Sequence, residues 1–250
     1  MSEWLSRCTF ARMERSAAVD AVFEPVQPPT TFEETVERLG TAIKLGLLAP
    51  GSRLPPEREL ADELGISRST LRQALTALVQ SGHLVAARGR GGGTFVADAP
   101  PLTVGPAPDP ARMRDVLDYR VAIETGAALL AAERAQPEDL ERMSEQVEVM
   151  RRGWADFETY RRADIRFHIA LAEAARSRRL VAAMTEVQGD MSELISLIAH
   201  PEEVLAQSNA QHAQLIELLG ARDSTAAAEL ARKHLEGTEH ILIGLLPPER

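Results

Sequence analysis

Four side chains in the C-terminal half have types and spacings suited to holding an ion. Asp164 and His168 lie four residues apart in Asp164-Ile165-Arg166-Phe167-His168. On a helix they share one face, and that face carries the apolar stripe Tyr160, Ala163, Phe167, Leu171 and Ala174. His212 shares a stripe with Leu205, Leu215, Ile216 and Leu219, and His234 shares one with Ala227, Leu230, Ala231 and Ile241. A carboxylate on an inward face must be paired or ligated, because desolvating its charge is otherwise too costly. Three imidazoles and one carboxylate meet that need by binding a divalent metal: zinc first, with nickel, manganese, iron or cobalt as alternatives. The midpoint between His212 and His234 is residue 223, in a turn over 220–223, so the two rings should sit at one height in an antiparallel hairpin. The competing reading is a core hydrogen-bond network containing an Asp164–His168 ion pair. Arg120, on an inward stripe with Met113, Leu117, Glu124 and Ala127, reads either as a clamp for a small carboxylate effector or as the partner of Glu124 at i,i+4. His83, His200 and His240 fall outside these stripes and read as surface or loop residues.

A second group is basic and lies near the N-terminus. The stretch Leu54-Pro55-Pro56-Glu57-Arg58-Glu59-Leu60-Ala61, followed by Gly65-Ile66-Ser67-Arg68-Ser69-Thr70-Leu71-Arg72, reads as helix, turn, helix. Arg68 and Arg72 share a face of the second of these helices. Arginine holds guanine O6 and N7 bidentately, or a phosphate. Ser69 and Thr70 at a helix N-terminus suit phosphate contacts. Arg88-Gly89-Arg90-Gly91-Gly92-Gly93 reads as a flexible basic hairpin tip. The net charge of −9 looks wrong for a DNA binder, but residues 64–97 hold Arg68, Arg72, Arg88 and Arg90 and no acid. Phosphate binding follows the local field, not the total.

The elements that position these groups follow from periodicity and punctuation. A helix is expected over 32–46, with Val36, Leu39, Ile43 and Leu47 on one face, then helices over 56–64 and 67–81. Ser67 is a good N-cap, and Gly65 and Gly82 are stops. Strands are expected over 84–87 and 94–97. From residue 111 the pattern is helical and Ala-rich, with helices near 111–135, 137–152, 154–175, 177–199, 202–220 and 223–246. The expected fold is mainly α: an N-terminal winged helix-turn-helix of three helices plus a β-hairpin, joined to an all-α antiparallel helical bundle. Residues 1–31 read as a flexible extension, 32–98 as the DNA-binding domain, 99–110 as a proline-rich linker, and 111–246 as an effector-binding and dimerisation domain. The single cysteine, Cys8, excludes an internal disulfide framework and a cysteine-based zinc site. With no long apolar run, the sequence predicts no signal peptide, no membrane span and a cytoplasmic location.

These motifs resemble the GntR family of bacterial transcription regulators, in its FadR-like branch with an all-helical (FCD-type) ligand-sensing domain. The N-terminal likeness runs through Gly46-Leu47-Leu48-Ala49-Pro50-Gly51, the two helices above, Ala74-Leu75, Leu78 and Gly82. The C-terminal likeness rests on Arg120 to Glu124, Asp164 to His168, His212 and His234-Leu235. One departure is the wing, commonly Gly-x-Gly-Thr, which here is lengthened to Gly91-Gly92-Gly93-Thr94. The resemblance implies DNA contacts at Arg58, Arg68, Ser69, Thr70, Arg72 and Gly89. It implies a metal at Asp164, His168, His212 and His234, and a small organic-acid effector beside it. It also implies a homodimer on an inverted-repeat operator, acting as a repressor that the effector releases. Alternatives are a regulator that senses metal alone or an acyl chain, and a metal-dependent enzyme fused to a DNA-binding module. The last lacks any Glu-x-x-His or His-Glu-x-x-His pair.

Overall fold

The computed structural model describes residues 31–44, 46–89, 92–100, 109–154 and 156–246. Residues 1–30 of the expected N-terminal extension and most of the linker over 99–110 lie outside these residues, and Thr31, placed in that extension, begins the first helix. Two assemblies of helices are built from short elements, each started and stopped by identifiable chemistry.

In the N-terminal module α1 spans Thr31–Lys44, α2 Glu57–Leu64 and α3 Arg68–Gln80. Val36, Leu39 and Ile43 recur at helical spacing and are buried in α1. Gly65 ends α2 in a left-handed conformation, φ 66, which a side chain would resist. Ser67 then caps α3, its hydroxyl accepting from Thr70 N at 3.0 Å. Leu71, Ala74, Leu75 and Leu78 of α3 pack onto Leu39 and Leu60 in one core. The hairpin pairs β1 (Leu84–Ala87) with β2 (Gly93–Val96), antiparallel, with Leu84 opposite Val96.

The C-terminal bundle comprises α4 (Pro110–Arg134), α5 (Pro137–Arg152), α6 (Phe157–Ala174), α7 (Arg178–Ile195), α8 (Glu202–Gly220) and α9 (Ser224–Leu245). Pro110 and Pro137 start their helices at the first turn, where the missing N–H costs nothing. Asp156, Ser177 and Asp223 cap α6, α7 and α9 through side-chain oxygens. α7 stops at Ile195, short of the expected 199, and His200 Nε2 donates to Ile195 O at 3.0 Å, satisfying a carbonyl at the helix end. Ala127, Ala128, Ala131 and Ala132 line the buried face of α4, which touches α6, α7, α8 and α9 and so forms the spine of the bundle. No described helix is long and apolar enough to cross a membrane.

The two assemblies are not separated by the length of the linker. α1 lies along α9, and Ile241 and Leu245 of α9 join the apolar core of the N-terminal module. Glycines permit this approach: a Cβ on Gly244 would lie 2.6 Å from Glu37 Cα. Across the same seam His240 of α9 hydrogen-bonds Glu37 of α1. His240 is therefore an interdomain contact, not the surface residue its position in the sequence suggested. His83 is likewise fully buried, its Nδ1 2.9 Å from Ser81 Oγ.

Two outcomes follow from this seam. Gly244→Ala must push two backbones apart, and overpacking of that kind costs about 1–3 kcal/mol. Its melting temperature should fall by roughly 2–12 °C, and an unchanged melt would show that the seam has slack. The second concerns pH. The Glu37 hydrogen bond raises His240 above its ordinary value of 6.5, against the opposing effect of burial. A raised histidine contributes fully below its unfolded pKa and loses that contribution as pH rises through the folded one. The stability difference between wild type and His240→Ala should therefore shrink as pH is raised from about 6 to about 9; an equal difference at both ends would mean that the pair does not titrate.

Candidate functional site

The bundle interior collects charge that a hydrophobic core would normally exclude. α6 contributes Asp164 and His168, α8 His212 and α9 His234, and all four are buried. Ligating atoms of the three histidines lie within 4.8 Å of one another. His212 Nε2 and His234 Nε2 are 3.3 Å apart. Asp164 Oδ1 lies 3.7 Å from His212 Nε2 and 3.8 Å from His168 Nε2. Two metal–nitrogen bonds of about 2.1 Å, at tetrahedral to octahedral angles, set nitrogens roughly 3.0–3.4 Å apart. The His212–His234 spacing fits that chord, while His168 and Asp164 would have to move inward to complete it.

The protonation states suit the same purpose. Burial pushes His212 down to about 3, with the charge of Asp164 opposing. Burial likewise holds His234 well below its ordinary value. Neutral rings keep a lone pair free. Burial alone would raise Asp164, but the neighbouring His168, Arg161, His212 and His234 outweigh it and bring the carboxyl down to about 2.

A surrounding shell holds the rings in place. Glu124 Oε2 faces His168 Nδ1 at 2.6 Å. Glu124 Oε1 accepts from Arg120 Nε at 2.9 Å and from Gln188 Nε2 at 3.0 Å. His234 Nδ1 lies 2.8 Å from Gln211 Oε1. Asp164 Oδ2 accepts from Arg161 Nη1 at 2.5 Å, and Arg161 Nη2 donates to Gln188 O and Ser192 Oγ. Arg161, which is not on the apolar stripe, thus belongs to the centre; its stem reaches inward beside the stripe, which a three-residue offset from Asp164 permits. Glu124, Gln188 and Gln211 were also missed as partners of the ligands. Only Glu124 carried a signal, through its stripe with Arg120.

Of the two expected readings of Arg120, the structure shows the ion pair with Glu124. Its Nε pairs with Glu124, while its buried Nη1 has no hydrogen-bond partner and the residue lines a pocket in the bundle. Asp164, Arg161 and His234 share the cavity wall, opposite apolar residues such as Phe157, Ile195 and Val204. His200, in the loop between α7 and α8, also lines it, stacked on Phe157 and lowered in pKa by burial.

The basic surface is at the other end of the molecule. Arg58, Arg68, Ser69, Arg72, Arg88 and Gly89 are exposed, and Thr70 is half-buried. Ser67, Ser69 and Thr70 gather their hydroxyls at the N-terminus of α3, with Oγ to Oγ and Oγ to Oγ1 distances of 2.7 Å from Ser67. Arg72 leans back on Glu57 of α2, Nη2 to Oε2 3.0 Å, which braces α3 against α2. Arg90 lies outside the described residues. Arg53, unremarked in the sequence, anchors the wing: Nη2 donates to Gly92 O at 2.5 Å, and the guanidinium lies over Phe95.

Comparison with known proteins fixes what these two surfaces belong to. Residues 31–96 match the bacterial regulatory proteins, gntR family, and residues 115–237 match the FCD domain. The chain is 34% identical over 227 residues to a putative L-lactate dehydrogenase operon regulatory protein of Escherichia coli (strain K12), covering 84% of this chain and 85% of that one. The chain belongs to the GntR family. Two other GntR relatives are the putative HTH-type transcriptional regulator RmpR of Mycobacterium gastri, 34% identical over 80% of this chain and 76% of its own, and LutR of Bacillus subtilis (strain 168), 30% identical over 81% and 96%. This GntR protein is a DNA-binding transcription regulator rather than an enzyme.

The Glu124 network generates a prediction. Glu124→Gln removes the carboxylate that pairs with Arg120 and lies against His168 Nδ1 in the buried interior. Breaking a buried pair in this way costs about 3–5 kcal/mol. Urea unfolding should show the loss; a shift under about 1 kcal/mol would place water, rather than Glu124, as the partner of Arg120.

Proposed function

We propose that this regulator is a homodimeric repressor whose operator affinity is set by a small organic acid bound beside a divalent metal in the bundle. Asp164, His168, His212 and His234 hold the ion, and zinc suits the nitrogen-rich set best. The metal supplies positive charge and an open position for a carboxylate oxygen. Arg120 supplies the second clamp. The observation that carries this reading is the pair of unpartnered buried groups, Arg120 Nη1 and His168 Nε2, in and beside one cavity. Buried polar atoms are rarely left unsatisfied, and a carboxylate together with an ion satisfies both. The Escherichia coli relative is named for an L-lactate dehydrogenase operon, which accords with a small organic acid as the effector class.

At the DNA end, Arg58, Arg68, Ser69, Thr70, Arg72, Arg88, Gly89 and Arg90 form the binding surface. Two copies of α3 read half-sites of an inverted repeat about one helical turn apart. Arg68, free on the leading turn of α3, reads a base edge or phosphate, while Arg72 exchanges Glu57 for DNA. Effector and operator then weaken each other reciprocally. The protein acts in the cytoplasm, on the nucleoid.

Elemental analysis of purified protein tests the metal half of this reading. The wild type should carry about one ion per chain, and His168→Ala/His212→Ala none. Absence of metal from both after loading would reduce the cluster to a hydrogen-bond network. The DNA half is tested by binding to the promoter fragment that the wild type selects: Arg68→Ala should cost about 1–3 kcal/mol, and unaltered affinity would remove α3 as the reading helix.

A further inference from the structure

The cavity beside the histidines is not enclosed by the bundle alone. Phe32 and Glu33, both from α1 of the DNA-binding module, form part of its wall. Glu33 is buried, with a relative exposure of 6%. Its Oε1 accepts from Gln211 Nε2 at 3.4 Å, and Gln211 Oε1 lies 2.8 Å from His234 Nδ1. One side chain of α8 therefore spans from a histidine of the centre to the first helix of the DNA-binding module.

These contacts have a direction. Gln211 presents its amide NH2 to Glu33 Oε1, which accepts from it, although burial raises the Glu33 carboxyl above its ordinary value. The Gln211 carbonyl oxygen then faces His234 and accepts from Nδ1–H. That places the ring proton on Nδ1 and leaves Nε2, the atom 3.3 Å from His212 Nε2, as the bare lone pair. A ligating imidazole needs this tautomer, and the hydrogen bond at its other nitrogen sets it. Should α1 move away, Gln211 loses the partner that orients it. The amide can then turn over, offering a donor to Nδ1 and stabilising the tautomer with its proton on Nε2.

We propose that Glu33, Gln211 and His234 form a relay that makes the DNA-binding helix α1 part of the ligand site. Docked α1 fixes the His234 tautomer that accepts an ion, and an ion at the centre holds α1 docked. The relay rests on the metal reading above and adds its route to the DNA-binding module. Glu33 also limits what can fill the cavity: a group reaching it must donate a hydrogen bond, so an organic acid bearing a hydroxyl or ammonium fits that end better than a bare hydrocarbon. Such a ligand competes with Gln211 for Glu33 and thereby uncouples α1.

The test uses the full-length protein with Zn2+ as the only addition. Zinc affinity is measured by competition with a chromogenic chelator, and backbone hydrogen exchange is followed across 32–44. In the wild type, saturating zinc should slow exchange there by about fivefold or more. Glu33→Ala touches no ligand atom, yet should weaken zinc by about the same factor, since the coupling is reciprocal. Gln211→Leu should weaken zinc about tenfold, and at saturation should no longer transmit protection to 32–44. Gln211→Met gives the same readings if the leucine variant fails to fold. Zinc bound with unchanged exchange in 32–44, or with unchanged affinity in Glu33→Ala, overturns the relay and leaves the metal reading standing. No zinc bound by the wild type overturns both.

Discussion

The structure depends on having brought charge into the middle of a helical bundle and compensated it there. Asp164 and Glu124 are both buried among alanine, leucine and phenylalanine. Each buried ion costs several kcal/mol even after relaxation. The compensation is specific: Arg120 pairs with Glu124 and Arg161 with Asp164, and His168 Nδ1 lies against Glu124. An apolar core of the same volume would be as stable or more so. The cluster therefore makes sense as a device for holding rings and guanidinium groups in fixed directions around a space, and the remaining helices can be read as its supports.

Small residues make that arrangement possible. The alanines of α4 let five helices converge without large side chains filling the centre. At the far end of α9, Gly237 and Gly244 let α1 lie close enough for Glu33 to reach into the cavity wall; a Cβ at Gly237 would sit 3.1 Å from Glu33 Cγ. Helix contact at this distance brings two backbones into register, and its energy is sensitive to displacement. A site built across such a seam responds to the position of both helices.

The periodic parts of this picture were legible in the sequence, and the cross-helix parts were not. Apolar spacing and caps located the helices to within a few residues, and the position of the α8–α9 turn placed His212 opposite His234. The same method passed over Arg161, because a helical wheel assigns a residue to a face by its Cα, while an arginine stem carries the charge several ångströms around the cylinder. It passed over Gln188 and Gln211, because an amide on a helix gives no sign of the partner it meets. His240 and His83 were misjudged for a related reason. His240 is half-buried against Glu37 of α1, far away in the chain, and His83 is buried at the entry to the hairpin with Ser81 as a partner. Nothing in local spacing encodes a contact across 203 residues.

The placement of α8 shows why a bundle of this kind can act on DNA-binding helices. It carries His212 near its middle, and it touches the N-terminal module at two points: Gln211 meets Glu33 of α1, and the backbone at Glu203 meets Gln80 of α3. A helix is stiff along its axis, so a change in the tilt of α8 at His212 is felt at both contacts together. The first contact joins α8 to α1, which Ile241 and Leu245 of α9 also hold; the second lies at the C-terminal end of the helix that presents Arg68. On the proposed reading an effector would not have to reach the DNA-binding surface. It would need only a different affinity for two positions of α8, and the cavity wall includes Leu205 and Ser208 of that helix.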